Sequence, residues 1–191
     1  MKPIILDDIM GLPAYEKARD EFRRRIIELK KIRRVAVGDK ISLVFENRDT
    51  VIFQIQEMLR AERITDLDKI REEIEAYNGL IPGPRELSAT LFLEIEDQSH
   101  LREELLKFLG IDEAVYLKIG ESSIHARFEK GRSKEDKISG VQYIKFPFSD
   151  SEIRSFTEGK EKMEMVIDHA NYRAHAVLGE ETRKSLAQDL S

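Results

Sequence analysis

The sequence predicts an α+β fold: a helical N-terminal part packed on a mainly antiparallel sheet with two β-hairpins and a C-terminal helix. Apolar residues recur every three or four positions as far as residue 81, and alternate with polar residues afterwards. Between these regions Pro82 and Pro84 impose a rigid irregular segment. We therefore predict a helical lobe with one short strand over 1–81 and an antiparallel sheet lobe with helices over 82–191. The two lobes are expected to form one cooperative domain.

The first predicted helix covers residues 13–34. Pro13 suits a first helical turn. The apolar residues that follow form a narrow seam suited to packing on another helix: Tyr15, Ala18, Phe22, Ile26 and Leu29. Ile27 and Ile32 lie off this seam and predict a second contact. The helix is therefore expected either to form a homodimer interface or to make both contacts within the chain.

Charge distribution favours the dimer. The chain has a net charge of -5, but residues 17–40 carry ten Lys or Arg against four acids, so this segment holds +6 and the remainder -11. In a symmetric dimer each basic helix would face acidic surface of its partner. The basic residues circle the helix, since Arg23, Arg24 and Arg25 are consecutive, and we therefore predict no nucleic-acid binding.

A short strand is predicted over 37–45, and the central helix follows within residues 45–64, with Asn47 or Asp49 as its N-cap. Its apolar residues form one broad stripe: Val51, Ile52, Ile55, Met58 and Leu59. Phe53 points the opposite way, among polar residues, which predicts burial on two sides. Polar groups on a buried side need partners, so they form an internal network or the wall of a site.

Gln54, Glu57 and Arg60 follow one another at three-residue steps on this polar side and can touch. In a recognition wall, Arg60 would hold a carboxylate or phosphate by two parallel hydrogen bonds, and Glu57 would orient it. The alternative is a structural salt-bridge network that joins the helix to the sheet. A pocket joining Arg60 to an acid or base and open to solvent would favour an enzyme, whereas a closed network would favour a binding protein.

The remaining elements follow from capping, turn and alternation signals. Thr65 and Asp68 resemble a capping box before a third helix that ends at Asn78-Gly79. In chain order we then predict a strand (88–95), a helix (99–109) closed by Gly110, a hairpin (114–119 with 122–128), a loop (131–137), a strand (141–146), a helical turn (149–156), a hairpin (162–168 with 172–178) and a terminal helix (180–190).

Several kinds of chemistry are excluded or disfavoured. The chain has no cysteine, which excludes disulfides, thiolate metal sites, iron–sulfur ligation and a cysteine nucleophile. The four histidines are dispersed: His100, His125, His169 and His175. We therefore predict neither a bound metal nor a cofactor. The N-terminus MKPIILDDIM is soon broken by two acids, which predicts no signal peptide, no membrane span and a cytoplasmic location.

Four phrases together resemble a widespread prokaryotic family known only as a domain of unknown function: LVFENRDTVIFQIQEMLRAERI, YNGLIPGPRELSATLFLEI, VQYIKFPF and VIDHANYRAHAVL. The resemblance spans essentially the whole chain. It implies genes placed beside those of rubrerythrin-like proteins and iron–sulfur oxidoreductases, and so a role near anaerobic redox or oxidative-stress physiology. It implies no catalytic residues. Where the family pattern has His-Pro-Asn-Tyr, this chain has His169-Ala170-Asn171-Tyr172.

The sequence thus predicts a cytoplasmic accessory or binding protein, with a redox protein as partner. The ligand-binding candidates are Gln54, Glu57, Arg60, His169 and Tyr172. The alternative is an enzyme that uses Glu57 or His169 as acid or base on a small anionic substrate. No catalytic residue is assigned.

Overall fold

The structure is a computed structural model and describes residues 1–96, 98–129, 133–134 and 137–190 of the 191. Within these ranges there are six α-helices: α1 (Leu12–Arg33), α2 (Arg48–Ala61), α3 (Leu67–Asn78), α4 (Leu101–Leu106), α5 (Asp150–Glu158) and α6 (Glu180–Ala187). The strands of the same ranges are β1 (Arg34–Val37), β2 (Ile41–Glu46), β3 (Glu86–Leu93), β4 (Val115–Ile119), β5 (Ser122–His125), β6 (Arg127–Phe128), β7 (Ser133–Lys134), β8 (Lys137–Ile138), β9 (Val141–Pro147), β10 (Met163–His169) and β11 (Tyr172–Val177). The predicted loop at 131–137 falls largely outside the described residues.

Two antiparallel sheets face each other. The five-stranded sheet has the order β1-β2-β3-β9-β6, and the four-stranded sheet has the order β11-β10-β4-β5. Their inner faces form the main core, with Phe45, Leu91 and Phe146 from one sheet and Leu117 and Met165 from the other, all fully buried. The predicted α+β class, its antiparallel sheet and its C-terminal helix are confirmed.

The chain crosses from one sheet to the other at Ala126. β5 pairs with β4 as predicted, but β6 pairs with β9 of the five-stranded sheet. The predicted single strand over 122–128 is therefore wrong. Ala126 is buried and its N–H donates to the carbonyl of Val115 at 2.9 Å, so this small residue lets the strand bend into the core between the sheets.

The N-terminal part contains two strands, β1 and β2, whereas a single strand was predicted there. β1 and β2 pair antiparallel around a turn in which Gly38 has a φ of +74°. β2 pairs in turn with β3, so both predicted lobes contribute strands to one sheet. The division between residues 81 and 82 stays a prediction.

The first three helices belong to a layer outside the five-stranded sheet. A second core forms there, with Val51, Ile55 and Leu59 of α2, Ile74 of α3 and Ile4 of the N-terminal segment. Tyr143 of β9 packs against this core. Asn47, one of the two predicted N-caps, caps α2: its side chain accepts a hydrogen bond from the N–H of Thr50 at 3.0 Å. Helix α3 is capped by Asp66, one residue after the predicted Thr65.

Arg33 joins the end of α1 to the C-terminal segment. Its guanidinium is fully buried, donates to the carbonyls of Phe45 at 2.8 Å and Glu46 at 3.1 Å, and pairs with the carboxylate of Asp189. Desolvation raises the pKa of Asp189, although Arg33 opposes this rise. No α-helix in the described ranges has the length and apolar composition that a bilayer span requires.

Candidate functional site

The polar side of α2 is covered by α1. Glu57 accepts hydrogen bonds from the hydroxyl of Tyr15 at 2.7 Å and from Nε and Nη2 of Arg19, both at 2.8 Å. Phe22 meets Phe53 edge to face, with the ring centroids 5.7 Å apart. The prediction that the central helix is buried on two sides is therefore confirmed. The two-pronged contact with Arg19 occupies both oxygens of the carboxylate.

These contacts fix the protonation states of the cluster. The hydrogen bond from Arg19 lowers the pKa of Glu57, and that from Tyr15 lowers it further. Burial raises the pKa of Tyr15, and the neighbouring carboxylate adds to the rise. At neutral pH Glu57 is an ionised acceptor and Tyr15 a protonated donor. Neither group is poised to exchange a proton.

The other polar groups on this side of α2 bind α1 and the segment before it. Arg60 donates from Nε to Glu16 at 2.8 Å in a largely exposed pair. Gln56 is fully buried and bonds the backbone of Met10 twice, accepting from its N–H at 2.7 Å and donating to its carbonyl at 3.1 Å. Such a pairing satisfies the buried amide.

Gln54 points to a different partner. Its amide donates to Glu46 Oε2 at 3.0 Å, and this carboxylate also accepts from the hydroxyls of Thr50 at 2.5 Å and Thr90 at 2.7 Å. Glu46 is 2% exposed, so three neutral donors hold a buried carboxylate between α2 and the sheet. Sequence reasoning missed Glu46. The four-residue spacing of Glu46, Thr50 and Gln54 is the signal that could have found it.

His169 is engaged through both ring nitrogens. Nε2 lies 2.8 Å from the carbonyl oxygen of Leu109, and Nδ1 accepts from the N–H of Asn171 at 3.2 Å. These partners assign the proton of a neutral ring to Nε2. The ring stacks on Phe108, with the centroids 6.2 Å apart. Through these hydrogen bonds His169 links the β10–β11 turn to the loop after α4.

Tyr172, at the start of β11, links this strand to the β1–β2 turn. Its hydroxyl donates to the carbonyl of Val37 at 2.8 Å and accepts from the N–H of Lys40 at 3.1 Å. A Cβ at Gly38 would lie 2.2 Å from this oxygen, so only glycine fits there. Burial raises the pKa of Tyr172.

The five candidates therefore occupy two places. Gln54, Glu57 and Arg60 lie on α2, and each bonds a different acid or base. His169 and Tyr172 lie at the β10–β11 turn and bond mainly backbone. The structure joins each of them to a structural neighbour, and it does not combine the two groups into one constellation.

A broad polar surface lies on the outer face of the four-stranded sheet. We call this surface the sheet platform; it consists of Tyr116, Lys118, Ser123, His125, Glu164, Val166, Asp168, Arg173, His175 and Val177. Strand register places His175, Val166, Tyr116 and His125 in one row across the four strands. A concave region of 420 Å³ lies over three residues of this row, His175, Val166 and Tyr116. His125 and His175 both lie on this outer face of the sheet.

The histidines of the platform are not arranged around a metal. In the described part of the chain no group of three His, Cys, Asp or Glu side chains is placed to hold an ion. The ring of His125 lies 5.0 Å from that of Tyr116, and its Nε2 is enclosed without a hydrogen-bond partner among the described residues. Sequence reasoning missed the platform as a site, although the alternation of β4, β10 and β11 placed these residues on one face.

Comparisons with known proteins give the family but no activity. Residues 3–190 match the family model described as protein of unknown function (DUF3501). The chain is also similar to a solved structure, a novel protein of unknown function from Burkholderia pseudomallei K96243. That similarity has 31% sequence identity and a TM-score of 0.93, and it covers 100% of both chains. The curated proteins contain no significant match.

Proposed function

Because the chain belongs to the family described as protein of unknown function (DUF3501), we propose its function from the geometry: it is an accessory protein that acts by binding, and the sheet platform is its binding surface. The observation that most supports binding over catalysis is the closed network around Glu57, in which Arg19 and Tyr15 occupy both carboxylate oxygens.

The enzyme alternative needs an available acid or base. Glu57 is held ionised by Arg19, and both ring nitrogens of His169 have partners. The concave region beside α1 is lined by Met10, Ala18 and Phe22 with charged residues around them, and by neither Glu57 nor Arg60. A general base must reach the proton that it removes. The network therefore supports a structural role for the polar side of α2.

The sheet platform has the composition of a binding surface. Val166 and Tyr116 lie at its centre, half-buried, and Val177 is 57% exposed at its edge. Charged residues, among them Lys118 and Arg173, surround this centre. An apolar and aromatic centre within a polar rim is typical of protein–protein contacts.

We propose a redox protein as the partner and the cytoplasm as the location. The chain has no cysteine, and its described residues form no metal-binding group, so a role in electron transfer would require a partner protein or a bound cofactor. The resemblance found in the sequence implies neighbouring genes for rubrerythrin-like proteins and iron–sulfur oxidoreductases, which makes these the first partners to test.

Self-association through α1 is a further proposal. Tyr15 and Ile26 of the predicted seam are fully buried, and α1 contacts α2, α6 and β2 within the chain. The off-seam residues remain open: Ile27 is 38% exposed and Ile32 36% exposed. These two residues flank the buried seam on opposite sides, and we propose that the homodimer uses the flank that carries Ile27.

A binding assay with two matched variants tests the proposed function. The purified iron–sulfur oxidoreductase of the same host is immobilised, and the chain is titrated over it. We expect a saturable complex that Glu57→Gln leaves intact and that Tyr116→Glu abolishes, with unchanged circular dichroism. The proposal is overturned if Glu57→Gln abolishes the complex while Tyr116→Glu does not, or if the chain converts a small anionic substrate and loses that activity in Glu57→Gln.

A further inference from the structure

The platform contains a slot between two rings. Val166 lies between His175 on β11 and Tyr116 on β4, with each pair in direct register. Neighbouring strands are about 4.8 Å apart, so the backbones that carry the two rings are roughly 10 Å apart. Aromatic rings stack at centroid distances of about 5 Å. One planar ring therefore fits over Val166 with a stacking partner on each side.

Two of the three side chains that form the slot, Tyr116 and Val166, are held in place. The hydroxyl of Tyr116 donates to the carbonyl of Glu113 at 2.9 Å, and the Tyr116 ring rests against His125. Val166 is half-buried on the central strand β10 and forms the floor. A ligand would meet a floor and one wall that are preorganised, which reduces the entropy lost on binding; the exposed His175 would close the second wall.

The charge around the slot favours an anion. The charged side chains that line it are Lys118, Asp168 and Arg173. Arg173 pairs with Asp168 at 3.0 Å, whereas Lys118 forms no ion pair within 4.0 Å in the described ranges. Glu164, the register neighbour of Lys118, is engaged by Lys162 at 2.7 Å. Lys118 is exposed in direct register with Ser123, so its ammonium and the Ser123 hydroxyl can both donate to one bound anion.

We propose that the slot binds a small planar aromatic anion, with its ring over Val166 between His175 and Tyr116 and its phosphate or carboxylate against Lys118 and Ser123. The volume of 420 Å³ lies within the range of small-molecule sites. The inference rests on the proposed function, since it names a ligand class for the same surface, but it does not require a protein partner.

Two ligands that differ only in a phosphate distinguish the contribution of the aromatic ring to binding from that of the charge. Flavin mononucleotide and riboflavin share a fluorescent planar ring and differ by one phosphate, and adenosine monophosphate and inorganic phosphate serve as competitors. We expect quenching of both flavins on titration with the chain, with tighter binding of flavin mononucleotide and competition by adenosine monophosphate. Lys118→Gln should weaken flavin mononucleotide about tenfold and leave riboflavin unchanged.

Two further variants complete the test. Val166→Trp fills the slot and should abolish binding of both flavins. Arg127→Gln, an exposed strand cation on the other sheet, should change neither. The inference is overturned if Val166→Trp binds both flavins like the native chain, if Lys118→Gln weakens both equally, or if inorganic phosphate competes as well as adenosine monophosphate. Loss of the partner complex in Tyr116→Glu without any flavin binding would overturn the inference and leave the proposed function standing.

Discussion

Single residues decide how the polar side of α2 is interpreted. The spacing of Gln54, Glu57 and Arg60 could be read from the sequence, and so could the need for partners. The identity of those partners could not, because Tyr15 and Arg19 are about 40 positions away in the chain. The same limit applies to His169, whose partner Leu109 is 60 positions away. Helical periodicity predicts which face of a helix is buried, but the element that covers this face is known only from the tertiary structure.

Glu57→Gln should destabilise the fold by about 2 kcal/mol at neutral pH, because Arg19 and Tyr15 lose a charged acceptor. The pKa of Glu57 is lowered in the folded state, so its stabilisation is present above the unfolded value of 4.5 and is lost as pH falls through the folded value. Urea unfolding across this range should show a smaller acid-side loss of stability in Glu57→Gln than in the native chain.

The exposed Glu16→Gln, which removes the ion pair with Arg60 and leaves the hydrogen bonds of Glu57 in place, is the matched control and should change stability by less than about 1 kcal/mol. Equal effects of the two substitutions would contradict a stabilising role of the partly buried network around Glu57.

At the scale of elements, periodicity predicted most helices and strands, and the errors lie where local signals are weak. The β5–β6 crossing was missed because a bend at Ala126 leaves the alternation of 122–128 unbroken. β1 was missed because it continues directly from the basic end of α1. The anchoring of α6 was also not predicted, because the buried pair of Arg33 and Asp189 joins positions 156 apart.

Arg33→Met and Asp189→Leu should each cost about 4 kcal/mol, since each leaves one buried charge without its partner. The double variant should cost clearly less than the sum, because it leaves neither charge. Denaturant unfolding of the four proteins measures this difference as a double-mutant cycle. Additive single effects would show that the ion pair does not couple α1 to the C-terminal segment.

At the scale of the whole molecule, the two sheets, the helical layer and the anchored C-terminal segment form a scaffold that presents the sheet platform as one of its open surfaces. The scaffold could be predicted from the sequence in class and in most elements. The platform could not be recognised as a site. Its central row takes one residue from each of four strands; alternation predicts the face on which each residue lies, but it does not predict how the strands align.

Light scattering tests the proposed homodimer. We expect the native chain to show twice its mass of 22.2 kDa and Ile27→Glu to show a monomer with unchanged circular dichroism. Ile27 suits this test because it is partly exposed. Phe22→Glu does not, because Phe22 packs on Phe53 inside the chain. A monomeric native chain at tens of micromolar would rule out the dimer.

We propose that the chain acts by binding through the sheet platform and not through the polar side of α2. The most direct measurement places a photo-crosslinking amino acid at His175 or at Arg60 in the native host, and compares the products after illumination. Both side chains are at least partly exposed, so both probes are tolerated. We expect discrete adducts from position 175 and none from position 60. Adducts from position 60 with none from position 175 would contradict it.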